Sequence, residues 1–240
     1  MAEEGVRGVV GLIFLAVFLA GFGVLFWYAV AAPSSQVLGK TLVCRPPGSQ
    51  KVALTFDDGP GEATPLILDT LRQAGVHATF FLCGQNAERF PEYARRIAEE
   101  GHEIGNHTYS HPRLLWKTPG KIAWEIERAQ NVIAHRTGKE PRLFRPPYGL
   151  RWFGLFRILQ NRGMTAVMWS VNGTDWKLPA AEIRRRVLHG VRPGAIVLLH
   201  DGVPPAESGD RKATAEALGD IIRALASRYR FVPASEMQGQ

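Results

Sequence analysis

Leu54-Thr55-Phe56-Asp57-Asp58-Gly59-Pro60 runs from an apolar segment straight into two acids and a turn. The apolar run opens at Val52, and Gly59-Pro60 punctuates its end. Adjacent carboxylates at the mouth of a buried strand repel each other, so a nearby cation or proton must hold them. Candidates follow downstream, each just beyond its own apolar run: His107 and His111, then Arg145, then Asp175 and His200.

Working outward, short apolar runs alternate with longer amphipathic stretches. Residues 52–56, 78–82, 103–105, 142–144, 165–169, 195–199 and 230–232 read as strands; 65–74, 91–100, 119–136, 149–162, 180–189 and 212–229 read as helices. Several helices open on proline, and Gly75, Gly101 and Gly163 follow helical stretches as stops. Regular alternation predicts an α/β fold, a distorted (β/α) barrel of about seven parallel strands. In such barrels chemistry gathers at the C-terminal ends of strands, and there the polar candidates fall: His107 after the third run, Arg145 after the fourth, Asp175 after the fifth and His200 after the sixth.

One N-terminal transmembrane helix is predicted to precede this barrel. No charged residue occurs from Gly8 to Ala32, a run of 25 residues, enough to cross a bilayer core as a helix. A secretory signal is the rival, since Ala29-Val30-Ala31-Ala32 offers small residues for cleavage, but a signal's apolar region is usually about 7–15 residues long. Trp27 and Tyr28 suit the membrane interface. The expected organisation is a stub at 1–7, an anchor at 8–32, a polar linker at 33–42 and a catalytic domain at 43–240. Lys40, Arg45 and Lys51 follow the helix, which on flanking charge alone favours a cytoplasmic domain; a long domain crosses regardless of such charge, and the expected location is a single-pass membrane protein with the domain outside the cytoplasm.

A chain of 240 residues with 45% hydrophobic content can bury one substantial core. A formal charge of +7 suits an anionic surface such as a membrane or an acidic wall polymer. The basic residues are scattered with no nucleic-acid motif, so no nucleic-acid partner is expected, and no protein partner is evident. Arg184-Arg185-Arg186 reads as the solvated face of a helix, and Cys44 and Cys83 as spare thiols rather than a disulfide or metal site.

His107 and His111 stand four positions apart, a spacing that can bring both imidazoles to one metal. A carboxylate from the first strand end would complete a His/His/Asp site suited to zinc or a similar divalent ion, with positions left open. The second carboxylate is then free to act as a base toward the hydrolytic water. Arg145 can hold that base ionised through a bidentate pair. His200 is the candidate acid, kept charged by Asp175. His77, His102, His135 and His189 read as structural or surface residues.

Taken in order, Thr55-Phe56-Asp57-Asp58-Gly59-Pro60, His107-Thr108-Tyr109-Ser110-His111-Pro112, Arg145-Pro146-Pro147-Tyr148-Gly149, Thr174-Asp175-Trp176 and Leu198-Leu199-His200-Asp201 resemble the five motifs of the NodB-type polysaccharide deacetylases, carbohydrate esterase family 4. The resemblance spans about Lys51 to Val232. It implies Asp57 as general base and Asp58 as metal ligand with His107 and His111. It implies that Arg145 orients Asp57, that the backbone N–H of Tyr148 helps stabilise an oxyanion, that Asp175 tunes the acid His200, and that Trp176 and Leu198 line a pocket for the acetyl methyl. One departure is Asn172, where many members carry an acid.

The expectation is a hydrolase acting on linear amides, a metal-dependent N-deacetylase of N-acetylglucosamine in a glycan, with cell-wall peptidoglycan first and chitin-like chains second. Zinc is the expected cofactor, with cobalt, nickel or manganese as alternatives. Rival readings are a deacylase or deformylase of a lipid-linked amino sugar, and a non-catalytic glycan-binding module. Specificity is expected in short loops such as 203–211.

Overall fold

The computed structural model describes residues 2–44 and 50–238. Arg45, Met1 and the last two residues of the predicted domain lie outside the described residues. Helix α1 (Ala2–Ala31) leads into strand β1 (Thr41–Leu42), β2 (Lys51–Asp57), α2 (Thr64–Ala74), β3 (Thr79–Leu82), α3 (Gly84–Arg89), α4 (Pro91–Glu99) and β4 (Glu103–Asn106). There follow α5 (Pro119–Thr137), β5 (Leu143–Phe144), a 3-10 turn (Pro147–Gly149), α6 (Leu155–Asn161), β6 (Thr165–Val167), β7 (Val171–Asn172), α7 (Ala180–Gly190), β8 (Ile196–His200), α8 (Lys212–Ala226), β9 (Arg230–Phe231) and a 3-10 turn (Ala234–Met237).

Every ladder between these strands is parallel, in the order β1-β6-β5-β4-β3-β2-β8-β7, with β9 paired to the start of β2. The sheet curls into a half-barrel that, among the described residues, no ladder closes between β1 and β7. Two strands lie beyond the expected seven, β1 at the end of the stretch read as a linker and β7 just past the run at 165–169.

The central strands β2, β3 and β8 are buried on both faces, so they read as continuous apolar runs. Along β2, Val52, Leu54 and Phe56 face a helix-covered core with Ile67, Leu68, Val197, Leu199, Leu218 and Ile221. Ala53 faces inward, with Phe81, Leu143, Val167 and Ile196. A strand alternates its faces, so Thr55 and Asp57 share the inner side with Ala53. The same alternation puts Leu198 and His200 beside Ile196 on β8.

One sequence expectation changes. The helix read at 149–162 shrinks to α6, because Gly149 and Gly154 take left-handed φ values of 69° and 83° and break it. The stretch read as a polar linker at 33–42 packs on the domain: Ser35 is buried, Arg151 donates from Nη1 to the Ser35 carbonyl (3.0 Å) and from Nη2 to that of Ala32 (2.6 Å), and Thr41–Leu42 pairs with β6. The predicted anchor is helical through Ala31, and Gly11–Ala31 is long and apolar enough to cross a membrane.

Inside the half-barrel the Phe81 ring lies under the guanidinium of Arg145, 4.1 Å from centroid to Cζ. Phe81→Ala is expected to cost about 3–5 kcal/mol by opening a cavity and removing that platform. Phe81→Leu should cost clearly less, as read by the shift in thermal midpoint.

Candidate active site

The inner, C-terminal rim collects the expected residues. Strand order sets Asp57 and Asp58 between His200 on β8 and His107 after β4, with Arg145 entering after β5. Asp58, His107 and His111 are all buried, and their ligand atoms lie within 4.8 Å of one another. Asp58 Oδ1 is 3.4 Å from His107 Nε2 and 3.1 Å from His111 Nε2. Those separations match the edge of a tetrahedron built on ligand bonds of about 2.0–2.1 Å, roughly 3.4 Å. Asp58 Oδ1 is also buried without a hydrogen-bond partner among the described residues. A buried carboxylate oxygen left so, facing two imidazole nitrogens, fits a cation.

Each donor is held from behind. His107 Nδ1 lies 2.7 Å from the Arg145 carbonyl, which fixes that nitrogen as the N–H donor and leaves Nε2 as a free lone pair. Burial alone would raise the Asp58 carboxyl, but His107 and His111, with His200, hold it below the usual carboxylate range. The Asp58 carbonyl accepts from Asn86 Nδ2 at 2.6 Å. The loop carrying His107 and His111 is pinned by Glu125, which accepts from the N–H groups of Tyr109 (3.2 Å) and Ser110 (2.9 Å) and from Ser110 Oγ (2.9 Å).

Asp57 meets Arg145 at 2.7 Å between Oδ1 and Nη1. The pairing is monodentate, unlike the two-point contact expected, because the rest of the guanidinium is committed elsewhere. Nη1 also donates to Thr55 Oγ1 (2.8 Å), Nε to the Val167 carbonyl (3.1 Å) and Nη2 to that of Met168 (3.0 Å). Fully enclosed, Arg145 is locked by four acceptors rather than by one.

His200 Nδ1 and Asp175 Oδ1 are 2.8 Å apart, and Asp175 Oδ2 accepts from the His200 N–H (2.7 Å) and from Thr214 Oγ1 (2.7 Å). Burial would lower the imidazole, but Asp175, helped by Asp58 and Asp57, outweighs it and pushes His200 up to about 9. Its Nε2 points back toward Asp58 Oδ2, 3.9 Å away. Asp175 follows β7, not the run at 165–169 that was expected to carry it.

Trp176 stands edge-on to His200 (5.2 Å between centroids) and is partly exposed, whereas Leu198 is buried on the same side of β8. Tyr148 is exposed, its ring 4.6 Å from that of His111 and its hydroxyl 3.3 Å from Glu207 in the 203–211 loop. The site is thus open to solvent along Tyr148 and Trp176 and closed beneath.

Sequence reasoning missed the supports: Asn86, Glu125, Thr214 and Asp201. Asp201 is fully buried, accepts from Thr64 Oγ1 at 2.6 Å, and lies so near Gly59 that a Cβ there would meet its carboxylate at 2.2 Å. Burial foremost pushes its carboxyl up to about 7. Gly59 next to the acid pair was the available signal for that close approach. His102 is structural as expected, its Nδ1 accepting from the Ala78 N–H at 3.2 Å. Both cysteines are free thiols, Cys44 exposed and Cys83 buried.

Comparison with known proteins agrees with this fold. A family model described as polysaccharide deacetylase matches residues 45–167. A peptidoglycan-N-acetylglucosamine deacetylase of Bacillus cereus is 40% identical over 195 residues, covering 80% of this chain and 70% of that protein. A chitooligosaccharide deacetylase of Bradyrhizobium is 42% identical over 190 residues, covering 75% and 87%. Among solved structures, the Bc1960 peptidoglycan N-acetylglucosamine deacetylase superposes with a TM-score of 0.78 at 39% identity, over 82% of this chain and 92% of that one. BA3943, a family pseudoenzyme from Bacillus anthracis, superposes with a TM-score of 0.75 at 30% identity, over 84% and 70%. This chain belongs to the polysaccharide deacetylases of carbohydrate esterase family 4.

Proposed function

We propose that the protein hydrolyses the N-acetyl amide of N-acetylglucosamine residues in peptidoglycan, using one divalent metal, zinc first, and that α1 is retained as a single membrane span with the catalytic domain outside the cytoplasm. The observation that carries the reading is the convergence of Asp58, His107 and His111 between a carboxylate held by a buried arginine and an imidazole held by a buried aspartate. Two nitrogens and one oxygen form a donor set that suits zinc and leaves coordination positions open. A metal held there would supply Lewis-acid polarisation of the amide carbonyl and acidify water.

The chain's own residues would do the rest. Asp57, oriented by Arg145 and Thr55, takes the proton from the attacking water. His200, charged and aimed by Asp175, gives a proton to the departing sugar nitrogen, so that acetate and a free amine leave. Tyr148 offers its backbone N–H to the developing oxyanion. Trp176 and Leu198 enclose the acetyl methyl. Relatives named for peptidoglycan and for chitooligosaccharides match the domain about equally, so peptidoglycan leads over chitin-like chains because an anchored domain sits where wall polymer is at hand. Acetate release from peptidoglycan, from chitooligosaccharides and from a lipid-linked amino sugar, measured side by side, ranks the substrates; release from the lipid-linked compound alone would replace this reading.

Asp57→Asn is expected to lower acetate release by about 10²–10⁴-fold with bound metal unchanged, whereas His107→Ala loses both, as read by metal analysis beside the assay. Acetate release at the parent rate from Asp57→Asn would strip Asp57 of the base role. Dialysis against a chelator should abolish turnover and added zinc should restore it. A raised His200 stays protonated, and so able to donate, until the pH approaches about 9, and activity falls above that. Asp175→Asn removes the main cause of the rise, so the alkaline limb of kcat/KM should move to lower pH; an unmoved limb would mean another group is the acid.

A further inference from the structure

Helix α1 does not end in solvent. Val30 is buried, and with Phe26 and Ala31 it joins a cluster made of Leu114, Ile122, Ile126, Phe144, Trp152 and Leu155 from the catalytic domain. Arg151 closes the joint, its backbone N–H donating to the Val30 carbonyl at 2.9 Å and its guanidinium to Ala32 and Ser35. The span therefore enters the domain as a rigid strut.

Against this strut lies an aromatic collar. The Trp116 ring stacks on Phe26 at 6.2 Å, Trp152 meets Phe26 edge-on at 6.1 Å, Trp116 and Trp152 are 4.5 Å apart, and Phe153 follows at 4.9 Å from Trp152. Trp116 is 72% exposed and Phe153 is 61% exposed, an unusual state for two large rings in one patch. Trp116 also holds a positive φ of 63°, a conformation that a bulky residue adopts only where its surroundings impose it.

Depth decides what covers the collar. Phe26 lies five residues, about 7.5 Å, inside the last residue of the apolar span Gly11–Ala31. The Trp116 ring lies 6.2 Å from that of Phe26, so a bilayer that holds the span reaches Trp116 at the boundary between its acyl chains and headgroups. Tryptophan favours that headgroup level, and exposed Lys117 beside it suits anionic lipid.

We propose that the catalytic domain is seated on the bilayer, with Trp116 and Phe153 inserted at the headgroup level beside α1. The inference rests on the reading of α1 as a retained membrane span. Its occupant is the lipid surface, on which the span's own apolar flank is continuous with the collar. Its consequence falls on the active site. Trp116 lies five residues after His111, and Phe153 five after Tyr148, so both loops that carry open-rim site residues rest on the membrane. The rim is then held at a fixed, short height, and the substrate is glycan lying against the bilayer rather than strands far out in the wall.

The test is depth-dependent quenching in the full-length chain, reconstituted in phosphatidylcholine vesicles containing phosphatidylglycerol and brominated lipids. A Trp27→Phe background removes the fluorophore within the span. Emission of that chain should be quenched more by bromines near the glycerol than by bromines near the chain ends. Adding Trp116→Phe should remove most of that quenching, while adding Trp124→Phe should leave it. Quenching that survives Trp116→Phe, or is absent in the Trp27→Phe chain, overturns the seat. Chemical cross-linking of two chains through an unquenched Trp116 overturns it in favour of self-association. The underlying reading fails separately: alkaline carbonate would then release the parent chain from membranes and its Trp27 would escape quenching.

Discussion

Two adjacent carboxylates, Asp57 and Asp58, are each only 3% exposed, and the barrel's inner rim is organised around making that tolerable. Each acid has its own partners. Asp57 has a guanidinium sealed from water, and Asp58 has two imidazoles whose lone pairs can share a metal with it. Removing one partner from a buried ion pair typically costs about 3–5 kcal/mol, because the survivor stays desolvated. Arg145 escapes that fragility in part by bonding also to Thr55 and two backbone carbonyls, so its position does not depend on Asp57 alone. The geometry of Asp57 is therefore set by the barrel wall.

The loops above the rim store strain at the places where chemistry needs side chains to turn inward. Asp58, Thr108, His111, Tyr148 and Thr174 all have positive φ, from 54° to 69°, a region that β-branched residues especially avoid. Two of these are stabilised by one device used twice. Asn106 ends β4 and its Oδ1 accepts from the Thr108 N–H at 2.9 Å; Asn172 ends β7 and its Oδ1 accepts from the Thr174 N–H at 2.8 Å. Asn172 thus supplies the acceptor oxygen that an acid would have supplied, which accounts for the tolerated departure at this position.

How far the sequence could be read follows from which signals have a period. β2, β3 and β8 were legible because they are four to seven residues of buried strand, and the barrel followed from their alternation with helices. β1 and β7 were not: β1 lies at the end of the stretch read as a linker, and β7 follows the run at 165–169 too closely to stand apart, so Asp175 was attached to the wrong strand. Charged and ligating residues stood out by type. Their supports did not: Glu125 looks like any acid on α5, and only its three hydrogen bonds to the Tyr109-Ser110 backbone and hydroxyl reveal its task. The joint between α1 and the domain was hidden for the same reason, because Arg151 reads as a surface cation until the carbonyls it caps are seen.

The period of two along β2 also explains how one fold can carry both enzymes and a pseudoenzyme, as in this family. Val52, Leu54 and Phe56 point outward and anchor the helices, whereas Thr55 and Asp57 point inward and touch Arg145. The outer set determines whether the barrel assembles; the inner set determines whether a base and a ligand stand at its rim. A substitution on the inner face can erase the chemistry and leave the superposition almost unchanged. In this chain the inner face is complete from Thr55 through His200, and every charged member has its partner in place. Membership in the fold would be compatible with a silent domain; that unbroken set of paired side chains is what argues for a working one.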